Sequence, residues 1–439
     1  MEYAAVDDEG FVVATVDCPP PPYPFSVVES TRYPGRYFFF NSETQESLWR
    51  LAPWWNEPQP PEGHAAMPPA PLSSGLAGGP RAAPTLTADG LTVVGGLGQG
   101  GYGVVVAVEH QGQRFAMKCV SKSRSAKAKD KKHLRRELRA LTELPPSPFL
   151  MRSYLAFESV TTVFFVTDLI GGGDLFFHLD VVTLAGNDGF DEDMARILIG
   201  ETAAGLCHMH DRNLIHRDIK VENVMLDAAG HVKLVDYGLC CEVNSEEGEP
   251  VSPVGSLIYM APELLRESMG GRFTDWWALG VLSHELLTGR SPWSTLSDKK
   301  QIKKEIMGAP MEPPLRGMSL LASQLVTSLL RKDRTVRLGT HNSREVLGHA
   351  FFTSVMDMAA LERGETPPAL VPDIDTGAPG GNTTMGTEAE GLAADQAEAL
   401  DEYRRISPTA NNSGSQGEVW SMGLPQVRHH PACSPAGRR

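Results

Sequence analysis

The sequence is short of basic residues, cysteines and long apolar runs, and each shortage excludes a class of protein. Its 439 residues carry 40 Lys and Arg against 54 Asp and Glu, a formal net charge of −14, whereas a general nucleic-acid binder usually has a basic surface. Six cysteines are too few for a disulfide scaffold and fit a reducing compartment. No apolar run approaches the roughly 18 residues that a membrane-spanning helix needs.

The N-terminus and the cysteine spacing argue against two further classes, secreted proteins with a signal peptide and zinc proteins with paired Cys/His ligands. The first ten residues are acidic, whereas a secretory signal peptide is basic and then apolar. Cys240 and Cys241 are adjacent and the other four cysteines are isolated, so no paired Cys/His spacing for zinc is present. We therefore expect a cytoplasmic or nuclear protein.

Composition divides the chain into segments with different physical properties. Residues 57–84 hold eight prolines, which is typical of a linker with polyproline character. Residues 365–403 hold nine acidic residues and no basic one, which favours disorder. The predicted segments are a disordered N-terminus (1–19), an aromatic module (20–53), a Pro-rich linker (54–90), a large folded domain (91–352) and a mostly disordered acidic tail (353–439).

The large domain shows strand-like patterns first and helix-like patterns afterwards. β-Branched residues at 93–94 and 104–108 predict two strands, and 113–120 predicts a third. Apolar residues at helical spacing predict helices over 127–141, 193–210, 275–288 and 320–330.

A glycine cluster lies between the first two predicted strands. The segment Gly98-Gln99-Gly100-Gly101-Tyr102-Gly103-Val104-Val105 has the form GxGxxGxV, whose glycines allow a turn to approach phosphate oxygens closely. A Gly-rich hairpin turn without function is the alternative. A dinucleotide-binding motif needs a helix to begin inside the glycines, and the β-branched residues that follow favour a strand instead.

Four further motifs follow in a fixed order. Lys118 lies in an apolar strand, and Glu137 follows nineteen residues later in a predicted helix. The other motifs are His216-Arg217-Asp218-Ile219-Lys220-Val221-Glu222-Asn223, Asp236-Tyr237-Gly238 and Ala261-Pro262-Glu263. This order and spacing match the signature set of protein kinases.

Residues 91–352, about 60% of the chain, therefore resemble a eukaryotic protein kinase domain of the AGC group. The group likeness is carried by Gly172-Gly173-Asp174-Leu175-Phe176, Asp236-Tyr237-Gly238-Leu239-Cys240, Asp275-Trp276-Trp277-Ala278-Leu279-Gly280 and His349-Ala350-Phe351-Phe352. The resemblance implies an α+β fold of two lobes, a β-rich small lobe (91–169) and a helical large lobe (170–352). It also implies a serine/threonine-protein kinase that uses ATP and Mg²⁺.

The resemblance assigns roles to the charged residues. Lys118, held by Glu137, would bind the α- and β-phosphates. Asp218 would accept the proton of the substrate hydroxyl, and Lys220 would contact the γ-phosphate. Asn223 and Asp236 would bind Mg²⁺ through oxygen atoms. Taken singly, each residue has the alternative of a surface charge or an ordinary salt bridge. The resemblance also implies that Asp275 braces the catalytic loop and that Glu263 pairs with Arg337.

The nucleotide would be enclosed by residues of both lobes. Thr167 matches the gatekeeper position, ahead of the hinge at 168–170. The predicted ATP-binding residues are Leu97, Gly98, Gln99, Gly100, Gly101, Tyr102, Gly103, Val105, Ala116, Lys118, Asp168 and Met225.

Regulation and substrate choice also follow from the resemblance. Ser252 matches the activation-loop phosphosite, with Arg217 and His133 as phosphate partners. Asp174, Glu222 and Glu285 match an acidic groove that would select Arg two and three residues before the phosphoacceptor. The nine Lys and Arg of residues 122–139 fit a solvated helix face with a phosphate-reading patch, and a nucleic-acid arm is the alternative.

Residues 22–53 resemble a WW domain, a small three-stranded antiparallel β module. Gly35 to Trp49 matches its second and third strands, with Phe38 and Trp49 as the pair that would grip a proline-rich ligand. An aromatic hairpin packed on the kinase lobe is the alternative. A WW-like scaffold with an inactive kinase domain is the rival function, and the intact Lys118, Asp218 and Asp236 argue against it.

The tail carries two further features. Residues 367–372 resemble the Pro-rich tail motif of the group, but no Phe-x-x-Phe motif follows. Arg404-Arg405-Ile406-Ser407 places arginines three and two residues before a serine, which predicts autophosphorylation of Ser407. Because Pro408 follows, a likeness to the turn phosphosite of the group and a site for a proline-directed kinase are the alternatives.

Overall fold

A computed structural model describes residue 86 and residues 88–372, except for 101–102, 123–124, 126–127, 160, 246, 295, 297, 312 and 314. Ahead of these residues it describes the backbone of five short strands only. The tail after residue 372 therefore lies outside the described residues, and so do Trp49, Gly101, Tyr102 and Ser407.

The N-terminal strands form one antiparallel sheet. Its strands are β1 (Ala5–Val6), β2 (Val12–Ala14), β3 (Phe25–Glu29), β4 (Tyr37–Asn41) and β5 (Ser47–Leu48). β4 pairs with β2, β3 and β5, and the WW-like module stays a prediction. β1 and β2 lie inside the segment predicted to be disordered (1–19), and β-branched valines such as theirs favour strands. The sheet has five strands rather than three.

The small lobe contains a second five-stranded antiparallel sheet. Its strands are β6 (Thr92–Gly100), β7 (Gly103–His110), β8 (Gln113–Ser121), β9 (Ser153–Glu158) and β10 (Thr162–Asp168), in the order β6-β7-β8-β10-β9. Helix α1 (Ala128–Glu143) connects β8 to β9. The three strands and the helix that the sequence predicted here are confirmed.

The side chains of β10 alternate between two apolar clusters, so this sheet is buried on both faces. Val163 and Phe165 pack with Leu134 of α1 in the large core. Phe164 and Val166 point the other way, into a smaller apolar cluster that includes Leu86. Leu86 is 7% exposed, so packing of the small lobe begins inside the segment predicted as a linker.

The large lobe is mainly helical, with short strand pairs around its loops. Its helices are α2 (Leu175–Leu184), α3 (Glu192–His210), α4 (Pro262–Arg266), α5 (Arg272–Thr288), α6 (Lys299–Met307), α7 (Leu320–Leu329), α8 (Arg344–Leu347), α9 (Ala350–Thr353) and α10 (Met358–Glu362). Its strands are β11 (Leu214–Ile215), β12 (Val224–Leu226), β13 (Val232–Leu234), β14 (Cys241–Glu242), β15 (Glu249–Pro250) and β16 (Met269–Gly270). Within the described residues no helix is long and apolar enough to cross a membrane.

Helix α5 is the central helix of the large lobe. Trp276 and Trp277 are fully buried, and most of its other residues are buried as well. A helix that is apolar on all sides belongs in the interior of a large core. It ends at Gly289, whose φ of 69° is left-handed, the conformation at which glycine commonly terminates helices.

The chain after residue 352 stays packed for twenty residues. Leu361 of α10 is fully buried. Further on, a Cβ placed on Gly230 would lie 1.9 Å from the carbonyl oxygen of Leu370, and one placed on Gly172 would lie 2.7 Å from Pro372. Parts of residues 353–372, at the start of the segment predicted to be mostly disordered, therefore pack on the large lobe.

Candidate active site

The predicted ion pair of the small lobe is formed. The Nζ of Lys118 on β8 lies 2.5 Å from Oε1 of Glu137 on α1. Glu137 is buried, and Leu134 fixes its helix against the core. Burial would lower the pKa of Lys118, but the charges of Glu137 and Asp236 outweigh it and raise that pKa. The lysine is therefore a fixed cation beside the cleft.

The catalytic loop is closed by hydrogen bonds to Asp218. The amide nitrogen of Asn223 donates to the backbone oxygen of Asp218 at 2.7 Å and to its Oδ2 at 2.8 Å. The Nζ of Lys220 lies 3.1 Å from the same Oδ2. Burial would lower the pKa of Lys220, but Asp218 and Glu222 raise it instead. Asn223 and Lys220, predicted from the same motif as Asp218, thus both contact the Asp218 carboxylate.

Asp275 of α5 fixes this loop from beneath. Its carboxylate accepts the backbone N–H groups of His216 and Arg217 and bonds Nε2 of His210, each at 2.8 Å. Burial would raise the pKa of Asp275, but the hydrogen bond and charge of His210 lower it. Arg217 has a φ of 71°. This bracing holds that left-handed backbone, which is strained for a residue with a side chain.

Asp236 has a left-handed backbone as well, with a φ of 61°. Its Oδ1 accepts the N–H of Gly238 at 3.3 Å. Loss of water around the carboxylate would raise its pKa, but the charge of Lys118 and the Gly238 hydrogen bond lower it. Asp236 therefore presents a negatively charged carboxylate.

The glycine-rich segment is a strand–turn–strand hairpin, as predicted. β6 pairs with β7 up to Gly100 and Gly103, with a register shift between Gly96 and Gly98. Gly98, Gln99 and Gly100 lie on β6 and Gly103 begins β7. Because a helix does not begin inside the motif, the dinucleotide-binding alternative is excluded.

The register of the sheet places the predicted nucleotide residues on one face. Val105 pairs with Lys118, and Ala116 pairs with both Ala107 and Thr167. Since directly paired residues share a face and side chains alternate, Val105, Ala116 and Lys118 point the same way. Leu97 lies next to the bulge of β6, and Met225 bridges to Asp174 below the hinge.

The side chain of the hinge residue Asp168 makes hydrogen bonds within the small lobe. Its carboxylate accepts Tyr154 Oη at 2.7 Å and the N–H of Arg152 at 2.8 Å. Burial and the charge of Asp168 raise the pKa of Tyr154. The side chain thus ties the hinge to β9, and the backbone N–H of Asp168 adds to this by donating to Arg152 O at 3.0 Å.

The three residues of the predicted acidic groove differ in burial and in hydrogen-bond partners. Asp174 is half-buried and accepts Phe177 N at 2.8 Å as the N-cap of α2. Glu285 is 3% exposed and accepts the hydroxyl of Tyr259. Glu222 is half-buried. Their role in substrate selection stays a prediction.

The activation loop contacts the catalytic loop through Arg217. One nitrogen of its guanidinium, Nη2, donates to the backbone oxygen of Ser252. Ser252 and Pro253 are exposed, so the serine hydroxyl is accessible. The side chain of His133 lies outside the described residues.

Arg136 is a residue that the sequence reasoning missed. Burial lowers the pKa of Arg136, and the positive charge of Arg217 lowers it further. The nearby Cys241 and Cys240 act to raise the same pKa. Arg136 therefore lies close to Arg217, although 81 positions separate them in the chain. Its place next to Glu137, on the helix facing the activation loop, is the signal that could have found it.

The predicted buried ion pair is present at the base of the activation segment. Arg337 binds both oxygens of Glu263 at 2.6 and 2.8 Å and also donates to Phe273 O at 2.8 Å. Both side chains are almost fully buried. The pair fixes α4, immediately after the activation loop, to the rest of the large lobe.

Comparison with known proteins identifies this architecture. Residues 91–352 match the protein kinase domain family, and the chain belongs to that family. The chain is 32% identical over 319 residues to serine/threonine-protein kinase Sgk1 of Rattus norvegicus, covering 71% of this chain and 72% of that protein. It is a protein serine/threonine kinase of the AGC group.

Two other relatives support the same group. Protein kinase C zeta type of Oryctolagus cuniculus is 33% identical over 317 residues, which cover 69% of this chain and 52% of the relative. RAC-beta serine/threonine-protein kinase A of Xenopus laevis is 36% identical over 287 residues, which cover 64% of this chain and 57% of the relative.

Proposed function

We propose that this kinase transfers the γ-phosphate of Mg²⁺-bound ATP to Ser or Thr in protein segments with Arg two and three residues earlier. The observation that carries the proposal is the meeting of Asp218, Lys220 and Asn223 opposite the formed Lys118–Glu137 pair. Phosphoryl transfer requires positioning and charge neutralisation more than covalent chemistry, and this arrangement supplies both.

Asp218 is placed to orient the acceptor hydroxyl. Its Oδ2 is held by Asn223 and Lys220, so the carboxylate is fixed before a substrate binds. The hydroxyl proton passes to Asp218 as the oxygen bonds to phosphorus, and ADP leaves. Lys220 and Lys118 remain positively charged because their pKa values are raised above ordinary ones, the carboxylates outweighing burial.

The residues present fit a magnesium ion. Asp236 offers a carboxylate whose pKa is lowered, since the charge of Lys118 and the Gly238 hydrogen bond outweigh the loss of water. The Asn223 nitrogen is used by Asp218, which leaves its amide oxygen as a hard donor. Within the described residues no group of three or more His, Cys, Asp or Glu could hold a metal by itself. Two protein oxygens suit Mg²⁺, which takes its other ligands from phosphates and water.

Substrate selection would rest on three carboxylates. Asp174 and Glu285 accept hydrogen bonds from Phe177 and Tyr259, and Glu222 is half-buried. Arginine binds carboxylates through paired hydrogen bonds, so it can join these partly satisfied groups. We expect Glu222→Gln to weaken the preference for Arg more than it lowers turnover of a saturating substrate.

We also infer a recruitment role for the WW-like module. Its support is the β3-β4-β5 arrangement, in which Val28 of β3 pairs with Phe38, together with Trp49 in the sequence. A proline-rich ligand would lie on flat aromatic side chains. Binding of a fluorescent proline-rich peptide to the full chain, and its loss in Trp49→Ala, would test this. No binding by either protein would contradict it.

The cellular location of the protein and the limits of its predicted segments remain proposals as well. We infer a cytoplasmic or nuclear kinase from the few cysteines, which fit a reducing compartment. Fractionation of cells that express a tagged full chain tests the location, and recovery with the secreted proteins would contradict it.

The deciding experiment is a kinase assay on an arrayed peptide library with Mg²⁺ and ATP. Wild type should phosphorylate Ser and Thr peptides, most strongly those with Arg at the two positions. Asp218→Asn should lose activity, while Asp211→Asn, an exposed aspartate on the same lobe, should keep it. A folded wild type without turnover would favour the scaffold function. Turnover without an Arg preference would remove only the substrate proposal.

A further inference from the structure

A thiol lies against the arginine that contacts the activation loop. Cys241 is on β14, which pairs with β11 through Ile215. Nη1 of Arg217 lies 3.5 Å from the sulfur of Cys241. Arg136 approaches the same place from α1. Two guanidinium groups therefore lie near one cysteine sulfur.

The Arg217 side chain has an unused donor at this place. Arg217 is 8% exposed, and its Nε has no hydrogen-bond acceptor among the described residues. Nη1 and Nη2 are directed to Cys241 and to the Ser252 carbonyl. A buried donor without an acceptor is costly. An additional oxygen atom near the Cys241 sulfur would supply the missing acceptor.

The other described cysteines have different surroundings. Cys119, Cys207 and Cys240 are 1–2% exposed, whereas Cys241 is 9% exposed. Burial raises the pKa of the Cys119 and Cys207 thiols to about 12 and raises that of Cys240 well above its ordinary value. Buried, protonated thiols of this kind are inert, and thiols beside arginines are the reactive ones.

We propose that Cys241 is a peroxide-sensitive modification site that controls the activation loop through Arg217. The ligand class is a small peroxide such as hydrogen peroxide. The site consists of the Cys241 sulfur, the Arg217 guanidinium and the neighbouring Arg136.

The chemistry is a two-electron oxidation. The thiolate of Cys241 attacks one oxygen of hydrogen peroxide, so that an S–O bond forms and the O–O bond breaks. The sulfur is oxidised to sulfenic acid, and the other oxygen leaves as hydroxide, which takes a proton to become water. Arg217, with Nη1 at 3.5 Å from the sulfur, favours this step because its positive charge stabilises the departing hydroxide.

Oxidation should change the contacts of Arg217. The new oxygen accepts from Nε or Nη1 and draws the guanidinium away from the Ser252 carbonyl. The activation loop then loses its hydrogen bond to the catalytic loop. We expect kinase activity to fall about tenfold, the factor that corresponds to one charge-assisted hydrogen bond. Reduction by a thiol should restore it.

The first experiment maps the modification on the wild-type full chain and needs no variant. The reduced protein is treated with graded hydrogen peroxide, sulfenic acids are trapped with dimedone, and adducts are counted by mass spectrometry. Cys241 should be labelled at lower peroxide than Cys119, Cys207 and Cys240, and the kinase activity should fall in parallel. Labelling of Cys241 no earlier than Cys240 would overturn the proposal.

The second experiment uses matched variants, each compared with its own untreated activity. Cys241→Ser should be insensitive to the peroxide that inactivates wild type, and Cys240→Ser should stay sensitive. Arg136→Gln should slow the labelling of Cys241, because one positive charge near the sulfur is removed. Ser252→Ala should still be labelled at Cys241. Peroxide inactivation of Cys241→Ser equal to that of wild type would refute the link to activity.

Discussion

The Oδ1 of Asp275 accepts the backbone N–H of Arg217 at 2.8 Å, across 58 positions of the chain. The same arginine directs its side chain to the backbone oxygen of Ser252. One residue thus connects the central helix α5, the catalytic loop and the activation loop. Its left-handed φ of 71° is held by these contacts, which is how strained backbone persists at functional sites.

The first prediction concerns the charges of the active site. Lys118→Met and Asp236→Asn should each lower kcat by at least about 100-fold, since electrostatic stabilisation supplies most of the acceleration. Lys132→Met is the matched control, because Lys132 is exposed on α1 and should keep activity. Steady-state assays of the three variants, with circular dichroism as a fold check, decide this. Near-normal turnover in either active-site variant would remove the assigned roles.

The second prediction concerns the activation loop. Phosphorylation of Ser252 should raise activity, because phosphate adds close to two negative charges beside Arg217 and Arg136. Ser252→Ala should therefore lower activity of the phosphorylated enzyme by roughly 5- to 150-fold, the usual range of coupling between sites. Ser245→Ala, another exposed serine of the loop, serves as control. Equal activity of the two variants would show that the loop is not controlled at Ser252.

The third prediction concerns Ser407, which lies outside the described residues. Its two preceding arginines match the proposed specificity, and a tethered site has a high effective concentration. Purified wild type incubated with Mg²⁺ and ATP should carry phosphate at Ser407, and Asp218→Asn should not. Mass spectrometry reads the result. An active enzyme without phosphate at Ser407 would leave that serine to another kinase or to none.

The fourth prediction concerns the buried ion pair. Glu263→Gln should lower the free energy of unfolding by about 3–5 kcal/mol, because it leaves the buried Arg337 without its charged partner. Glu362→Gln breaks a pair with Arg344 whose side chains are 47% and 39% exposed, and should cost only about 0–1 kcal/mol. Urea unfolding of both variants gives the comparison. Equal losses would mean that burial does not decide the strength of the Glu263 pair.

The fifth prediction concerns pH. Nδ1 of His231 bonds Oε1 of the buried Glu201 at 2.8 Å, and this bond, with the carboxylate charges and against partial burial, raises the pKa of His231 above 6.5. A raised folded-state pKa adds stability that is full below the unfolded-state pKa and is lost as pH rises through the folded-state pKa.

The measurement compares wild type with His231→Asn. The difference in unfolding free energy between the two proteins should be largest below pH 6.5 and should shrink above it. Because other histidines are common to both proteins, their titration cancels in this difference. A difference that does not change with pH would contradict a charged His231.

The sequence by itself predicted the main helices and the family of the chain. The helices α1, α3, α5 and α7 follow from apolar spacing, because each depends on neighbours a few positions away. The catalytic roles of Lys118, Asp218 and Asp236 come from motif spacing and stay predictions. The linker and tail limits were less accurate, since Leu86 and Leu361 are buried only through contacts with distant elements.

Only the tertiary structure decided which side chains are free and which are already bonded. Glu285 was expected to bind a substrate arginine, and its carboxylate also accepts the Tyr259 hydroxyl. Arg136 carried no motif and is brought beside Arg217 by the packing of α1. Tyr259 and Glu285 are 26 positions apart in the chain, and Arg136 and Arg217 are 81 positions apart. These relationships depend on how separately specified elements pack, which a local pattern does not encode.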